Sequence, residues 1–204
     1  MKRLMICLMV SAFIVALSGL STAKETVLPI AKTRYVKEQN IIMRGTNKGV
    51  SGWGVICSRR DGLLPTTTRA TPEQAVIEFR ILVQNNGNVP TNISPSGLTL
   101  VLTNGTALDV FKGEDWGDGF VWLSPKLIEL NGKDISMENR SSVLLKPAEF
   151  VVLAVSFPME KQFRESEAIS LCSKVLLPVI SKEKIVVPLL FSNITPSESI
   201  GVRP

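Results

Sequence analysis

Hydrophobic and polar positions alternate with a period of two through much of the chain. Ile77, Phe79, Ile81 and Val83 alternate with Glu78, Arg80, Leu82 and Gln84, and Val151, Leu153, Val155 and Phe157 alternate with Val152, Ala154 and Ser156. Successive side chains of an extended backbone point to opposite faces, so this pattern predicts strands that press one face into a core. Asn85-Asn86-Gly87-Asn88 stops the first run and Pro158 the second, both with turn chemistry. Further strands are expected at Gly54–Ser58, Gly97–Leu102, Ala107–Phe111, Phe120–Leu123, Lys126–Leu130, Asp134–Met137, Ser142–Leu145, Ala168–Leu176 and Lys184–Phe191. Short, β-branched segments divided by turn residues predict an all-β fold, a sandwich or barrel. Helix is expected only as short turns, at Pro72–Ala75 behind a Thr71 cap and at Met159–Glu167.

Two hairpins can be read in register. Thr103-Asn104-Gly105 separates Leu98–Leu102 from Thr106–Val110. A three-residue loop with Gly105 left-handed pairs Leu100 with Leu108 and Thr99 with Asp109, keeping the apolar face continuous. A two-residue Asn-Gly turn would set Leu100 against Asp109 instead, so the three-residue loop is expected. Asn131-Gly132 marks a second hairpin. There a three-residue loop pairs Glu129 with Lys133, and a two-residue turn pairs Glu129 with Asp134.

The first residues have a different pattern. Met1-Lys2-Arg3 precedes an apolar run from Leu4 to Leu17, broken only by Ser11, and Ser21-Thr22-Ala23 supplies small residues. This is the layout of a secretory signal cleaved after Ala23, too short to span a bilayer. The chain is expected to be extracytoplasmic, secreted or periplasmic, with no membrane span after cleavage. Residues 24–48 would then be an arm or an edge strand, at Thr26–Ile30 or Asn40–Met43, 49–191 a single sandwich domain and 192–204 a loose tail.

Export changes the remaining composition. The 204 residues carry a net charge of +5, and loss of Lys2 and Arg3 lowers it to +3. The basic residues form no clustered face in the sequence, so nucleic acid is not an expected partner. Cys7 leaves with the signal, and Cys57 and Cys172 remain. A pair of cysteines in an oxidising compartment is expected to form one disulfide.

The chain has no histidine. That removes Ser-His-Asp and Cys-His catalysis, HExxH zinc sites and imidazole ligation. Catalysis by paired carboxylates remains chemically open, but no pair is fixed by the sequence. No Gly-rich phosphate loop opens a helix. An enzyme is therefore not expected, and neither is a cofactor. The candidate binding loop is Gly113–Gly119, where Glu114, Asp115 and Asp118 supply oxygen ligands suited to Ca²⁺ and Trp116 a platform for a sugar or peptide. Its spacing is not that of an EF-hand. Asn92, Asn104, Asn139 and Asn193 each begin an Asn-x-Ser/Thr triplet, which in a bacterial chain reads as turn chemistry and in a eukaryotic one as a glycosylation acceptor.

The order of signatures along the chain is a strand ending in Asn85-Asn86-Gly87-Asn88-Val89-Pro90, then the hairpin through Leu98–Gly105. Leu145-Lys146-Pro147-Ala148-Glu149 and Val155-Ser156-Phe157-Pro158 follow. This resembles the bacterial secreted immunoglobulin-like domains of telokin-like topology, over roughly Ala75 to Pro158. Ala148 stands where that family usually has Gly, and Phe157 meets Pro158 without the family's spacer. The resemblance implies an immunoglobulin-like antiparallel β-sandwich without catalytic residues, and it carries no site residues onto this chain. The expected function is an exported binding module for a protein or another envelope component. The alternative is a carbohydrate- or calcium-binding sandwich using the Glu114–Asp118 loop.

Overall fold

The computed structural model describes residues 33–57, 75–113, 123–160 and 165–192. The strands in chain order are β1 (Met43–Asn47), β2 (Val50–Ile56), β3 (Ala75–Asn85), β4 (Thr91–Ile93), β5 (Thr99–Leu102) and β6 (Ala107–Asp109). They continue as β7 (Lys126–Leu130), β8 (Lys133–Asp134), β9 (Val143–Leu145), β10 (Phe150–Met159), β11 (Cys172–Ile180) and β12 (Lys184–Phe191), with one short helix, α1 (Glu165–Ser170). The pairings among these strands are all antiparallel. The path runs β6-β5-β11-β12-β1-β2-β3-β10-β7-β8, with β4 joining β11 to β9. The all-β, sandwich-like fold read from the sequence is the one observed.

The alternation explains why this sheet folds back on itself. Ile77, Phe79, Ile81 and Val83 of β3 and Val151, Leu153, Val155 and Phe157 of β10 meet Leu100, Val175, Leu177, Val179, Ile185, Val187 and Leu189 in one buried cluster. Phe79 ties the layers together, its ring centroid 6.1 Å from that of Phe157 and 5.7 Å, edge-on, from that of Phe191. Each such ring adds large buried apolar area, the main favourable term here.

β1 is the seam. It pairs with β2 over its length and with β12 only through Met43↔Phe191 and Arg44↔Leu190. At Gly45 the backbones approach so closely that a Cβ would overlap the Pro188 carbonyl oxygen. The sandwich thus begins before residue 49, and its first strand is Met43–Asn47 rather than Asn40–Met43.

The hairpin registers divide as their turn chemistry does. Thr99 pairs with Asp109 and Leu100 with Leu108, with Gly105 left-handed at φ 87° and the Leu102 N–H bonded to the Thr106 carbonyl at 2.8 Å. That is the expected three-residue loop. The second hairpin takes the two-residue turn, pairing Glu129 with Asp134. Asn131 (φ 50°) and Gly132 (φ 86°) are both left-handed, as the favoured two-residue hairpin turn requires.

Several boundaries differ from the sequence reading. Ala168–Ser170 belongs to α1, and β11 starts at Cys172 and runs on to Ile180 through Pro178. β8 is only Lys133–Asp134, and β4 is a strand that the pattern did not mark. The Pro72–Ala75 turn lies outside the described residues except Ala75, which opens β3. Phe120–Leu123 is described only at Leu123, buried against Val76 and Phe111.

The expected disulfide is absent: Cys57 and Cys172 both carry thiols. The reason is facial. Ile56 packs on the central core while Val55 belongs to a cluster on the outer face of β2, so alternation turns Cys57 outward. Cys172 lies inside the central core at 5% exposure.

Candidate functional site

The two outer faces of the sandwich are both apolar, and they are treated differently. On the β2-β3-β10-β7 layer, Trp53, Val55, Leu82, Ile128, Phe150, Val152 and Ala154 form a second buried cluster closed by Val36 at 0% exposure. Val36, Tyr35 and Ile41 belong to a segment that crosses this face as a strap. Arg34 anchors it through an ion pair with Asp134 and a hydrogen bond to the Tyr35 hydroxyl, with the guanidinium 4.9 Å from the Tyr35 ring centre. The Tyr35 contact and Asp134 raise the Arg34 pKa, and hydrogen bonds from Ser136, reinforced by Arg34, hold the Asp134 carboxyl below its ordinary value. Beneath the strap, Glu129 is 2% exposed, and its Oε1 has no hydrogen-bond partner among the described residues.

The opposite face has no such cover among the described residues. On β11 and β12, Val175, Leu177, Val179, Ile185, Val187 and Leu189 point inward. The alternate positions, Leu176, Pro178 and Ile180 on β11 and Val186, Pro188 and Leu190 on β12, therefore point out. Ile180 is 56%, Val186 41% and Leu190 55% exposed. Register makes them one surface, because Pro178 stands against Val186 and Leu176 against Pro188. Ile180 continues it through Asn92 to Leu144, itself 60% exposed. Contiguous exposed apolar faces are candidate contact surfaces.

The charged side chains that register sets directly against it are basic, whereas Glu183 in the adjoining turn is ion-paired with Lys48 and Asp109 lies two strands from Leu176, beyond Thr99. Lys184 stands opposite Ile180, and Lys174 and Arg44 flank Leu190. Beyond the Lys184 end lies a groove of about 380 Å³ where three turns meet, lined by Lys48, Asn88, Thr91, Ser181, Lys182 and Glu183 among others. Lys48 and Glu183 are ion-paired across it. Its floor is set by Asn85, 1% exposed. The Asn85 Nδ2 donates to the Val89 carbonyl at 2.8 Å and the Leu145 carbonyl at 3.0 Å, and its Oδ1 accepts from the Gly87 N–H at 3.0 Å.

Among the described residues the edges of the sheet are short. β6 has three residues, β8 two and β9 three. Short edges discourage the addition of a foreign strand, so the exposed face outranks the edges as a contact surface.

The loop candidates Glu114, Asp115, Trp116 and Asp118 lie outside the described residues. Among the described residues no three or more Cys, Asp or Glu side chains gather as a metal site, and no helix is long and apolar enough to cross a membrane. The face on β11 and β12 was missed in the sequence. The signal was present, in Leu176-Leu177-Pro178-Val179-Ile180 and Val186-Val187-Pro188-Leu189-Leu190, which are apolar at both parities.

No family model and no curated protein matches the chain. A solved structure of a functionally unknown protein from Listeria monocytogenes EGD-e is similar at a TM-score of 0.36 and 13% identity, over 73% of this chain and 82% of that one.

Proposed function

We propose that the chain is an exported, non-catalytic immunoglobulin-like binding module that engages an envelope component face-on through the outward surface of β11 and β12. The observation that carries this reading is the contrast between the two outer faces: one apolar face is closed by the Val36 strap, and the other leaves Ile180, Val186 and Leu190 in solvent. Leaving such side chains exposed gives up the roughly 1.5–3 kcal/mol each gains when buried, which is consistent with a surface kept for contact. The absence of histidine removes the commonest acid-base chemistry. The leader-like first 23 residues and the resemblance of Ala75–Pro158 to secreted immunoglobulin-like domains support the location.

The test is site-specific photo-crosslinking in the native cells. A photoreactive residue at Val186 is expected to capture a discrete envelope component, whether protein or lipid, and the same residue at Lys133 on β8 is not. Equal adducts at both positions, or none at Val186, would overturn the reading.

A further inference from the structure

We infer that the envelope component met by the β11–β12 face is an anionic lipid surface. This rests on the binding-module reading above and names its partner. The composition of the face carries the argument. Its centre is aliphatic, and the charged side chains directly paired with it, Lys184 against Ile180 and Lys174 with Arg44 against Leu190, are basic; the one acid at the Lys184 end, Glu183, is neutralised by Lys48. Among the described residues, the outward positions of β11 and β12 hold neither an acid nor an aromatic ring.

Protein interfaces concentrate their binding energy in Trp, Tyr and Arg and are depleted of Lys. The outward positions of this face hold no Trp or Tyr, and two of the three cations against it are lysines. Aliphatic side chains framed by lysines suit a bilayer surface, where the apolar groups enter the headgroup–acyl boundary and the ammonium groups meet lipid phosphates. A second copy of the chain is disfavoured by charge. Whichever way two such faces are apposed, a basic end meets a basic end, and like charges repel. The contact is peripheral, since the inward side chains of the same strands are committed to the core.

The experiment uses the full mature chain and vesicles of phosphatidylglycerol with phosphatidylethanolamine in equal parts, against phosphatidylcholine alone. Co-sedimentation is expected with the anionic vesicles, weakening as salt is raised. Leu190→Ser combined with Val186→Ser should reduce binding about tenfold or more while leaving the unfolding transition in place, because both positions are exposed. Lys174→Gln with Lys184→Gln should reduce it about thirtyfold, at roughly one kcal/mol for each cation near the surface. No binding to anionic vesicles, or binding that the serine variants leave unchanged, would overturn the inference. So would a doubled mass in lipid-free sedimentation that Leu190→Ser abolishes. A protein adduct from Val186 without vesicle binding would sink the lipid assignment and leave the module standing; no adduct of any kind would sink both.

Discussion

The backbone N–H of Ala148 donates to the carbonyl of Asn85 at 2.7 Å, and the Asn85 N–H donates to the Glu149 carbonyl at 3.0 Å. The turn after β9 is thereby built against the turn after β3. Ala148 takes the left-handed conformation, φ 69°, that glycine would adopt without penalty. The Glu149 carboxylate accepts from the Lys146 N–H at 2.8 Å and the Glu149 N–H donates to the Lys146 carbonyl at 3.1 Å, so the turn holds despite the extra methyl group.

Replacing Ala148 with glycine should therefore stabilise the protein. A left-handed alanine costs about 1–2 kcal/mol and glycine returns about 0.5–1 kcal/mol in chain entropy. The expected net gain is about 0.5–1 kcal/mol in urea unfolding. A loss of stability would show that the Cβ makes a contact worth more than the strain.

Asn85→Ala should be far more costly. It removes both amide donors and the acceptor for Gly87 N–H in a residue 1% exposed, leaving the Leu145 carbonyl short of a donor. At about 1 kcal/mol per bond, and more for a buried group left unsatisfied, the expected cost is about 2–4 kcal/mol. An effect below about 1 kcal/mol in chemical denaturation would mean that water replaces the side chain.

The two outer faces make opposite predictions for truncation. Val36→Ala removes methyl groups from the closed cluster and should cost about 2 kcal/mol. Leu190→Ser, on the bare face, should change stability by less than about 0.5 kcal/mol. Equal losses in paired melting curves would contradict the contrast between covered and open faces.

Cys172 should be protected from alkylation in the native state, and both Cys172 and Cys57 should label without reductant once the chain unfolds. The Cys172 sulfur sits 3.2 Å from the Ala168 carbonyl, and burial pushes the thiol up from 9.0 to about 12. The unfolded chain loses this proton in a window where the native chain keeps it. The contribution is thus whole below about pH 9 and declines as pH rises toward about 12. Cys172→Ala should flatten the alkaline fall in stability measured by denaturant titration. An unchanged slope, or labelling that needs a reductant, would refute this.

How much was legible follows from what each signal reports. Period two placed β3 and β10, whose alternate side chains line the central core, and Gly105 fixed the register of the β5–β6 hairpin. At Asn131-Gly132 the turn residues outweighed the charge pairing of Glu129, which lies buried beneath the strap where no sequence rule would put it. Alternation failed on β11 and β12 because both faces are apolar, and it ran β11 backward into α1. Counting cysteines predicted a bridge because a count contains no facing information. Val36 was unreadable, since one valine in a polar stretch acquires its role only from the surface beneath it.

The pairing of Met43 with Phe191 joins the first described strand to the last. Synthesis releases β1 before β12, so the seam at Gly45 cannot form until the strands between them have emerged. Long-range closures of this kind are slow, and until then the greasy inner sides of β3 and β10 await their opposite wall. Apolar strand faces left open in this way favour aggregation, and closing the seam is the step that ends that exposure.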